Sequence, residues 1–201
     1  NGDVIHVTNA TRGGATIPAK TFQVGPVNTT SSDDSGTTVQ DYLDFLDDVL
    51  GINASISGGV TINASGQVVI DGNNGTLNDL EMVDSGVYVN DPTGLLPFTF
   101  TKNQDADGES VRTTFVVFDS LGEAQTIDLT VVLESKTNLG TTWRFYAQSE
   151  DDTDLDTTMG SGQITFDTNG QVLAVTDEGI TLDRAGTGAQ TPQIVDLLFN
   201  D

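Results

Sequence analysis

The side chains that could support nucleophilic or thiol catalysis are scarce in this chain of 201 residues. It contains one histidine, His6, and no cysteine. A serine or threonine nucleophile needs a base within hydrogen-bond reach, but His6 lies in an alternating apolar run that has no nucleophile-elbow pattern. We therefore interpret His6 as a strand residue. The lack of cysteine excludes disulfides, thiolate metal sites and cysteine catalysis.

Acidic side chains are abundant, and two loops group them in a way that suggests calcium sites. The segment Asp105-x-Asp107-Gly108-Glu109 resembles part of a calcium loop but lacks its third acidic position and its later Glu. The segment Asp151-Asp152-x-Asp154-x-Asp156 is denser in carboxylates. Solvated turns and loops favour the same residues. We predict no catalytic, cofactor-binding or metal-binding residues, and calcium binding by these loops stays an open alternative.

The charge balance excludes several classes of partner. The chain has 30 acidic and 7 basic residues, a net charge of −23. Such a chain repels nucleic-acid phosphates and anionic membrane surfaces. Paired carboxylates also occur in glycosidases, but one Trp and three Tyr offer few platforms for a sugar ring. We predict a protein that is not an enzyme, with a hydrolase as the weakest alternative.

The elements that must position these residues are mostly strands. Glycine is frequent (22) and proline scarce (5), and no apolar run approaches the roughly 20 residues of a membrane span. Period-two alternation predicts a strand at 3–8 and another at 126–133. Between the two, Thr37 or Thr38 can cap one helix, Val39–Leu50, whose apolar residues form one stripe and which Gly51 ends.

The stretch 110–145 predicts a β meander. The apolar runs 113–118 and 126–133 flank the tetrad Asp119-Ser120-Leu121-Gly122, which is typical of a β-hairpin turn. A third run, 141–146, contains the only tryptophan, Trp143. One face of this meander must be buried, and the rest of the segment can fold around it.

The chain divides into two predicted domains. The sequence Asp91-Pro92-Thr93-Gly94 is typical of a turn, and residues 83–97 have the composition of a linker. We predict an outer β domain at 1–92 containing the helix at 39–50, and a second β domain at 93–201. The fold class is therefore mainly β, with two sandwich-like or barrel-like domains and the helix packed on the strands of the first.

Several of these segments resemble bacterial flagellar hook proteins. A hairpin with Phe118-Asp119-Ser120-Leu121-Gly122, two further strands and the segment 164–172 occur in the order seen in the middle of those proteins. The segments 37–43 and 63–68 resemble an outer module of the same family, although Tyr42 departs from the usual Leu. The second domain, 93–201, is thus of hook-protein type, and the similarity covers most of the chain.

The resemblance implies a structural role outside the cell. Hook subunits assemble with copies of themselves and with other flagellar axial proteins into a tubular universal joint between motor and filament. Because Asn1 is not an initiator Met and no terminal heptads are present, we expect a fragment that is monomeric alone. The few basic residues are expected to meet Asp of neighbouring subunits. The alternatives are a surface adhesin or carbohydrate-binding β module, with or without calcium, and another flagellar axial protein.

Overall fold

The computed structural model describes residues 2–91, 93–94, 96 and 99–199. The chain forms two compact units, the first made of Asn1–Asn74 and Asn78–Ala106 and the second of Gly75–Leu77 and Asp107–Asp201. The described residues contain sixteen strands and one α-helix, so the predicted mainly β fold class is confirmed. The predicted domain boundary at residue 92 lies outside the described residues and stays a prediction.

A four-stranded sheet forms the framework of the first unit. In chain order, the elements of this unit are β1 (Val4–Val7), β2 (Thr11–Arg12), β3 (Ala15–Thr16), β4 (Lys20–Val24), β5 (Asp34–Gly36), α1 (Val39–Leu50), β6 (Gly59–Ile62), β7 (Val68–Asp71), β8 (Leu80–Glu81) and β9 (Val87–Val89). The main sheet has the order β5-β4-β1-β9, while β3-β2-β8 and β6-β7 form smaller sheets. Only the β4–β5 pair of the main sheet is parallel.

Two strands of the main sheet lie in segments whose composition does not indicate a strand. β5 falls within the polar segment 27–36. It pairs with β4 through backbone groups, and its side chains show no apolar alternation. β9 falls within the segment 83–97, where it pairs with β1 through Val87, Tyr88 and Val89. Short strands of this kind bury little apolar surface of their own, so periodicity does not reveal them.

The predicted helix is confirmed residue for residue as α1. The side chain of Thr38 accepts a hydrogen bond from the amide of Asp41, and the Asp41 carboxylate accepts from the amides of Thr38 and Thr37. These backbone amides lower the pKa of Asp41, because they favour the charged carboxylate. Gly51 then ends the helix with a φ of 59°, a left-handed conformation that glycine adopts without a steric cost.

The apolar face of α1 packs on the main sheet. Phe22 of β4 is 5.3 Å from Phe45 and 5.4 Å from Tyr42, measured between ring centroids. Aromatic pairs at these separations and tilts add to the stabilisation that burial alone gives. The other buried apolar residues of this unit include Val7, Ala10, Ile17, Leu43, Leu46, Val49, Leu50, Ile52, Val60 and Val87.

The C-terminal end of α1 is enclosed by polar side chains. Arg12, which is 7% exposed, donates from Nη1 to the carbonyl oxygens of Leu50 at 3.1 Å and Gly51 at 3.3 Å. Asn73 donates to the same Gly51 carbonyl at 2.8 Å and accepts from the amide of Asn53 at 2.9 Å. Helix carbonyls at this end have no partner within the helix, so these side chains supply one.

The second unit is a five-stranded antiparallel meander covered by a hairpin. Its strands are β10 (Ser110–Phe118), β11 (Ala124–Thr137), β12 (Gly140–Gln148), β13 (Gly160–Asp167), β14 (Val172–Thr176), β15 (Gly179–Leu182) and β16 (Gln193–Asp196). The meander follows chain order from β10 to β14, and β15 pairs with β16. The predicted hairpin and its third strand are thus present, each longer than the apolar runs suggest.

The core of this unit lies between the meander and the β15–β16 hairpin. Alternate residues of the strands point to this side, as the period of two requires. Its buried members are Ile127, Leu129, Phe145, Ala147, Met159, Ile164, Ile180, Leu182 and Leu197. Phe145 and Phe199 pack with their ring centroids 5.6 Å apart. One aromatic-rich face is therefore buried, as the sequence predicts.

Candidate functional site

The turn between β10 and β11 is built around one carboxylate. Asp119 Oδ1 accepts from the amides of Leu121 at 2.9 Å and Glu123 at 3.0 Å. These bonds fold the polar tetrad of the sequence into a tight turn, and Gly122 closes it with a φ of 84°. The side chain of Asp119 is only 1% exposed. The aspartate of this motif therefore shapes the turn from inside and does not point to solvent.

The Asp119 carboxylate also joins the turn to two more distant loops. Its Oδ2 lies 3.6 Å from Nε of Arg184, and Arg184 Nη1 donates to the carbonyl oxygen of Asp151 at 2.6 Å. Ser120 Oγ accepts from the amide of Gln190 at 2.6 Å. The turn, the 149–158 loop and the 183–192 loop thus meet at one polar cluster.

This cluster is suited to holding loops and not to proton transfer. Burial by itself raises the pKa of Asp119, but the amides of Glu123 and Leu121 and the charge of Arg184 outweigh burial and lower it. A carboxyl with a lowered pKa stays ionised at neutral pH and is a weak general base. Gln125, also buried, donates to Asp119 Oδ2 at 3.3 Å. We conclude that Asp119 is a structural residue.

A second carboxylate in the same region has the opposite character. Asp152 Oδ1 accepts from the amide of Asp183 at 3.0 Å, while its Oδ2 is buried and has no hydrogen-bond partner among the described residues. Burial, together with the nearby charge of Asp154, raises the pKa of Asp152 to about 6. The protonated carboxyl is therefore favoured by folding, and the ionised one is penalised.

We expect the stability of the second unit to depend on pH between about 4 and 6. A carboxyl whose pKa is raised on folding stabilises the protein fully below its unfolded pKa of about 4, and this contribution is lost as pH rises through about 6. Asp152→Asn is expected to raise the free energy of unfolding at pH 7 by about 1 kcal/mol, a figure reduced for solvent screening. The substitution should also make the free energy of unfolding less dependent on pH between about 4 and 6.

Urea unfolding followed by Trp143 fluorescence measures this effect, because Trp143 is the only tryptophan and lies in β12. Glu150→Gln is the matched control, since it removes a carboxylate from an exposed position of the same loop. An unchanged pH profile in Asp152→Asn would show that this carboxyl is not the group that titrates.

The other chemical candidates of the sequence are placed apart from one another. His6 stacks on Tyr88 with ring centroids 4.6 Å apart, and Asp105 pairs with Lys102 at 2.9 Å. Within residues 2–91, 93–94, 96 and 99–199, no three His, Asp or Glu side chains are grouped to hold a metal ion. The helix of the described part is too short and polar to cross a membrane.

Several basic side chains are engaged within the chain. Arg144 pairs with Glu134 at 2.8 Å, Lys20 with Asp33 at 3.5 Å, and Lys102 with Asp79. Arg112 donates to the carbonyl oxygen of Leu77 at 2.8 Å. The expectation that basic residues meet Asp of neighbouring subunits stays a prediction, and these internal partners would compete with such contacts.

Residues 76–201 match the protein family described as the flagellar basal body protein FlaE D2 domain. The chain belongs to this family. The match includes β10 to β16 and hence the Asp119 turn, so the resemblance to flagellar hook proteins seen in the sequence is confirmed. This family is a structural one and not an enzyme family.

No curated protein sequence matches the chain. Among solved structures, the chain is similar to the crystal structure of Helicobacter pylori flagellar hook protein FlgE2. The sequence identity is 10% and the TM-score 0.29, and the alignment covers 98% of this chain and 42% of that chain. The chain therefore spans less than half of the length of that hook protein.

Sequence reasoning missed one class of surface in this FlaE D2-family chain. Large apolar side chains are exposed on β10 and on the β6–β7 hairpin, among them Val111, Val116, Phe118, Ile62 and Val68. The signal that could have found the hairpin is the absence of charge, because no Asp, Glu, Lys or Arg occurs from 49 to 70. In a chain this acidic, a neutral and apolar surface marks a place where another molecule can make contact.

Proposed function

We propose that the chain is a structural part of the bacterial flagellar hook, outside the cell, and that it has no enzymatic activity. The observation that carries this proposal is the family match over residues 76–201. In this function, copies of the chain assemble with one another and with other flagellar axial proteins into the tubular joint between motor and filament. The matched residues include the β10–β11 turn, whose internal hydrogen bonds give a rigid element suited to a repeating structure.

The charge of the chain supports weak contacts between copies. A net charge of −23 makes identical chains repel at low ionic strength. Contacts between charged surfaces are weak and reversible, which suits subunits that slide against one another as a tube bends. We expect the chain to be monomeric at micromolar concentration, and a stable oligomer in sedimentation velocity at that concentration would contradict this expectation.

The carbohydrate-binding or adhesin alternative has less support. Of the described aromatic residues, Phe118 is the exposed one, and a sugar platform usually needs more than one ring. Trp143 is partly buried and donates from its indole nitrogen to Thr141 at 3.0 Å. No observation favours this alternative over the structural function.

Deletion of the gene in the source bacterium tests the proposal. We expect non-motile cells whose basal bodies lack hooks, with motility restored by the intact gene. Gold-labelled antibodies against the chain should bind the short segment between cell surface and filament in electron micrographs. Labelling along the filament or over the cell envelope, with normal hooks in the deletion strain, would contradict the proposed function.

A further inference from the structure

The outer strand β10 presents a long open edge. Among the residues that the structure describes, it pairs only with β11, through nine consecutive residue pairs without a register shift. Val111, Val116 and Phe118 are 57%, 53% and 64% exposed. Open edges of this length and apolar character tend to pair with further strands.

The backbone of β10 faces this open side at alternate residues. Phe118 accepts at its carbonyl oxygen from Gln193 Nε2 at 3.0 Å, so its peptide groups point away from β11. Since the direction of these groups alternates along an antiparallel strand, Thr114 and Val116 also direct their amide and carbonyl groups outward. At the other end of the strand, Ser110 Oγ accepts from the amide of Leu77 at 3.0 Å. The open part of the edge is therefore 112–116.

The β6–β7 hairpin is the second exposed strand pair. It forms a sheet of its own, and every residue from 61 to 69 is exposed. β6 faces α1, because Asp47 Oδ1 accepts from the amide of Val60 at 2.9 Å. The free edge is therefore that of β7. Ile62 and Val68 are cross-strand partners, and both are exposed apolar side chains.

β10 carries none of the features that usually prevent strand pairing, and β7 carries one of them, its length of four residues. Protected edges contain Lys, Pro, bulges or very short strands. β10 and β7 contain no Lys and no Pro, and their ladders have no register shift. The other outer strand of the meander, β14, has a register shift next to Phe166.

The charges of the two edges indicate which partner fits them. Like-charge repulsion opposes contact between copies wherever carboxylates face one another. β10 carries one charged residue, Arg112, and β7 carries one, Asp71. An antiparallel addition of β7 to β10 places Asp71 towards the Arg112 end and Val68 towards the Val116 end. A second copy of this chain therefore supplies an edge of matching charge and apolar character.

We propose that the β7 edge of one copy adds as a strand to the β10 edge of the next copy. Because the two surfaces differ, the contact is heterologous and joins copies head to tail in an open series. The contact rests on the proposed function, since it names the surfaces through which the chain meets its own copies. Backbone hydrogen bonds provide the affinity, and the flanking valines set the register. Asp71 approaches the positive charge of Arg112, whose Nη2 still donates to the carbonyl oxygen of Leu77 in its own copy.

Two single variants test the two surfaces one at a time. Val68→Glu places a carboxylate on the β7 edge, and Val116→Glu places one on the β10 edge. Wild-type chain is expected to self-associate near millimolar concentration in about 1 M NaCl, where salt screens the repulsion, and each variant should weaken this association by about tenfold or more. Val27→Glu and Leu173→Glu are matched controls, because Val27 and Leu173 are exposed apolar side chains that lie outside β7 and β10.

Mixing the variants gives the decisive result. Val68→Glu retains the β10 edge and Val116→Glu retains the β7 edge, so an equimolar mixture should form a one-to-one dimer and nothing larger in sedimentation velocity. Association of Val116→Glu alone would show hairpin-to-hairpin pairing and overturn the proposal. A wild-type chain that stays monomeric under these conditions, or two variants that associate as well as wild type, would also overturn it.

A cysteine pair gives an independent readout. The chain has no cysteine, so a Val68→Cys, Val116→Cys double variant should form a ladder of disulfide-linked copies on mild oxidation, while each single variant stops at a dimer at most. Trp143 fluorescence and circular dichroism establish that every variant is folded. Absence of the ladder in folded protein would overturn the edge contact but leave the proposed hook function intact, because that function is tested by antibody labelling and gene deletion.

Discussion

Replacing Gly162 with Ala is expected to destabilise the second unit by about 3 kcal/mol. Gly162 lies within β13, opposite Phe145 of β12. A Cβ atom at this position would lie 2.7 Å from Cζ of Phe145 and would overlap the carbonyl oxygen of Thr176. Phe145 is fully buried, so its ring has no free space to move into, and Thr176 belongs to the adjacent strand β14.

The substitution is destabilising because neither neighbour of Gly162 can move without losing contacts of its own. Shifting the ring of Phe145 disturbs the core, and shifting Thr176 breaks its pairing with Gln163. Urea unfolding followed by Trp143 fluorescence should show a midpoint that is clearly lowered. Gly179→Ala is the matched control, since only Asp196 Oδ1, at 3.8 Å, lies near its added methyl group, and we expect a change within about 0.5 kcal/mol. Equal effects of the two substitutions would contradict the packing argument.

Gly162 also shows why β13 could not be fully predicted. The strand begins at Gly160, four residues before Ile164, its first large apolar residue. Gly-Ser-Gly has the composition of a loop, and only the approach of Phe145 and β14 makes glycine necessary there. That approach joins residues distant in the chain, so no local pattern contains it.

The elements that were predictable depend on local physics. α1 was identified to the residue because its cap at Thr38, its apolar stripe and its terminal Gly51 are all adjacent in sequence. The β10–β11 hairpin was identified because a turn lies between two apolar runs. By contrast, β5 pairs through its backbone, and the raised pKa of Asp152 depends on burial and on the charge of Asp154. Properties that depend on tertiary contacts therefore could not be predicted from the sequence.

The role of Arg12 also depends on tertiary contacts. The sequence places Arg12 beside a Gly-Gly turn and gives no sign of a helix nearby. In the structure, the turn joins β2 to β3, and Arg12 reaches from β2 to the C-terminal end of α1. The partial negative charge at a helix C-terminus favours a cation. Both carbonyl oxygens accept from one nitrogen, Nη1, whose two N–H groups allow both contacts. A short strand and a helix that are 38 residues apart are thus joined by one side chain.

Arg12→Ala is accordingly expected to lower the free energy of unfolding of the first unit by about 2–3 kcal/mol, the range for hydrogen bonds made by a charged donor. The substitution leaves the Leu50 carbonyl buried without its donor, whereas Gly51 keeps Asn73 as a partner. Hydrogen exchange of the amides at 39–50 should become faster, since the end of α1 is then less well held.

Two further substitutions identify the cause. Arg12→Lys keeps the positive charge at the end of the helix, so its loss should be smaller than that of Arg12→Ala. Lys20→Ala removes a cation that pairs near the surface with Asp33 at 3.5 Å, and we expect a loss below about 1 kcal/mol. If Lys20→Ala were as destabilising as Arg12→Ala, loss of positive charge from an acidic chain, and not loss of the helix-end contact, would account for both results.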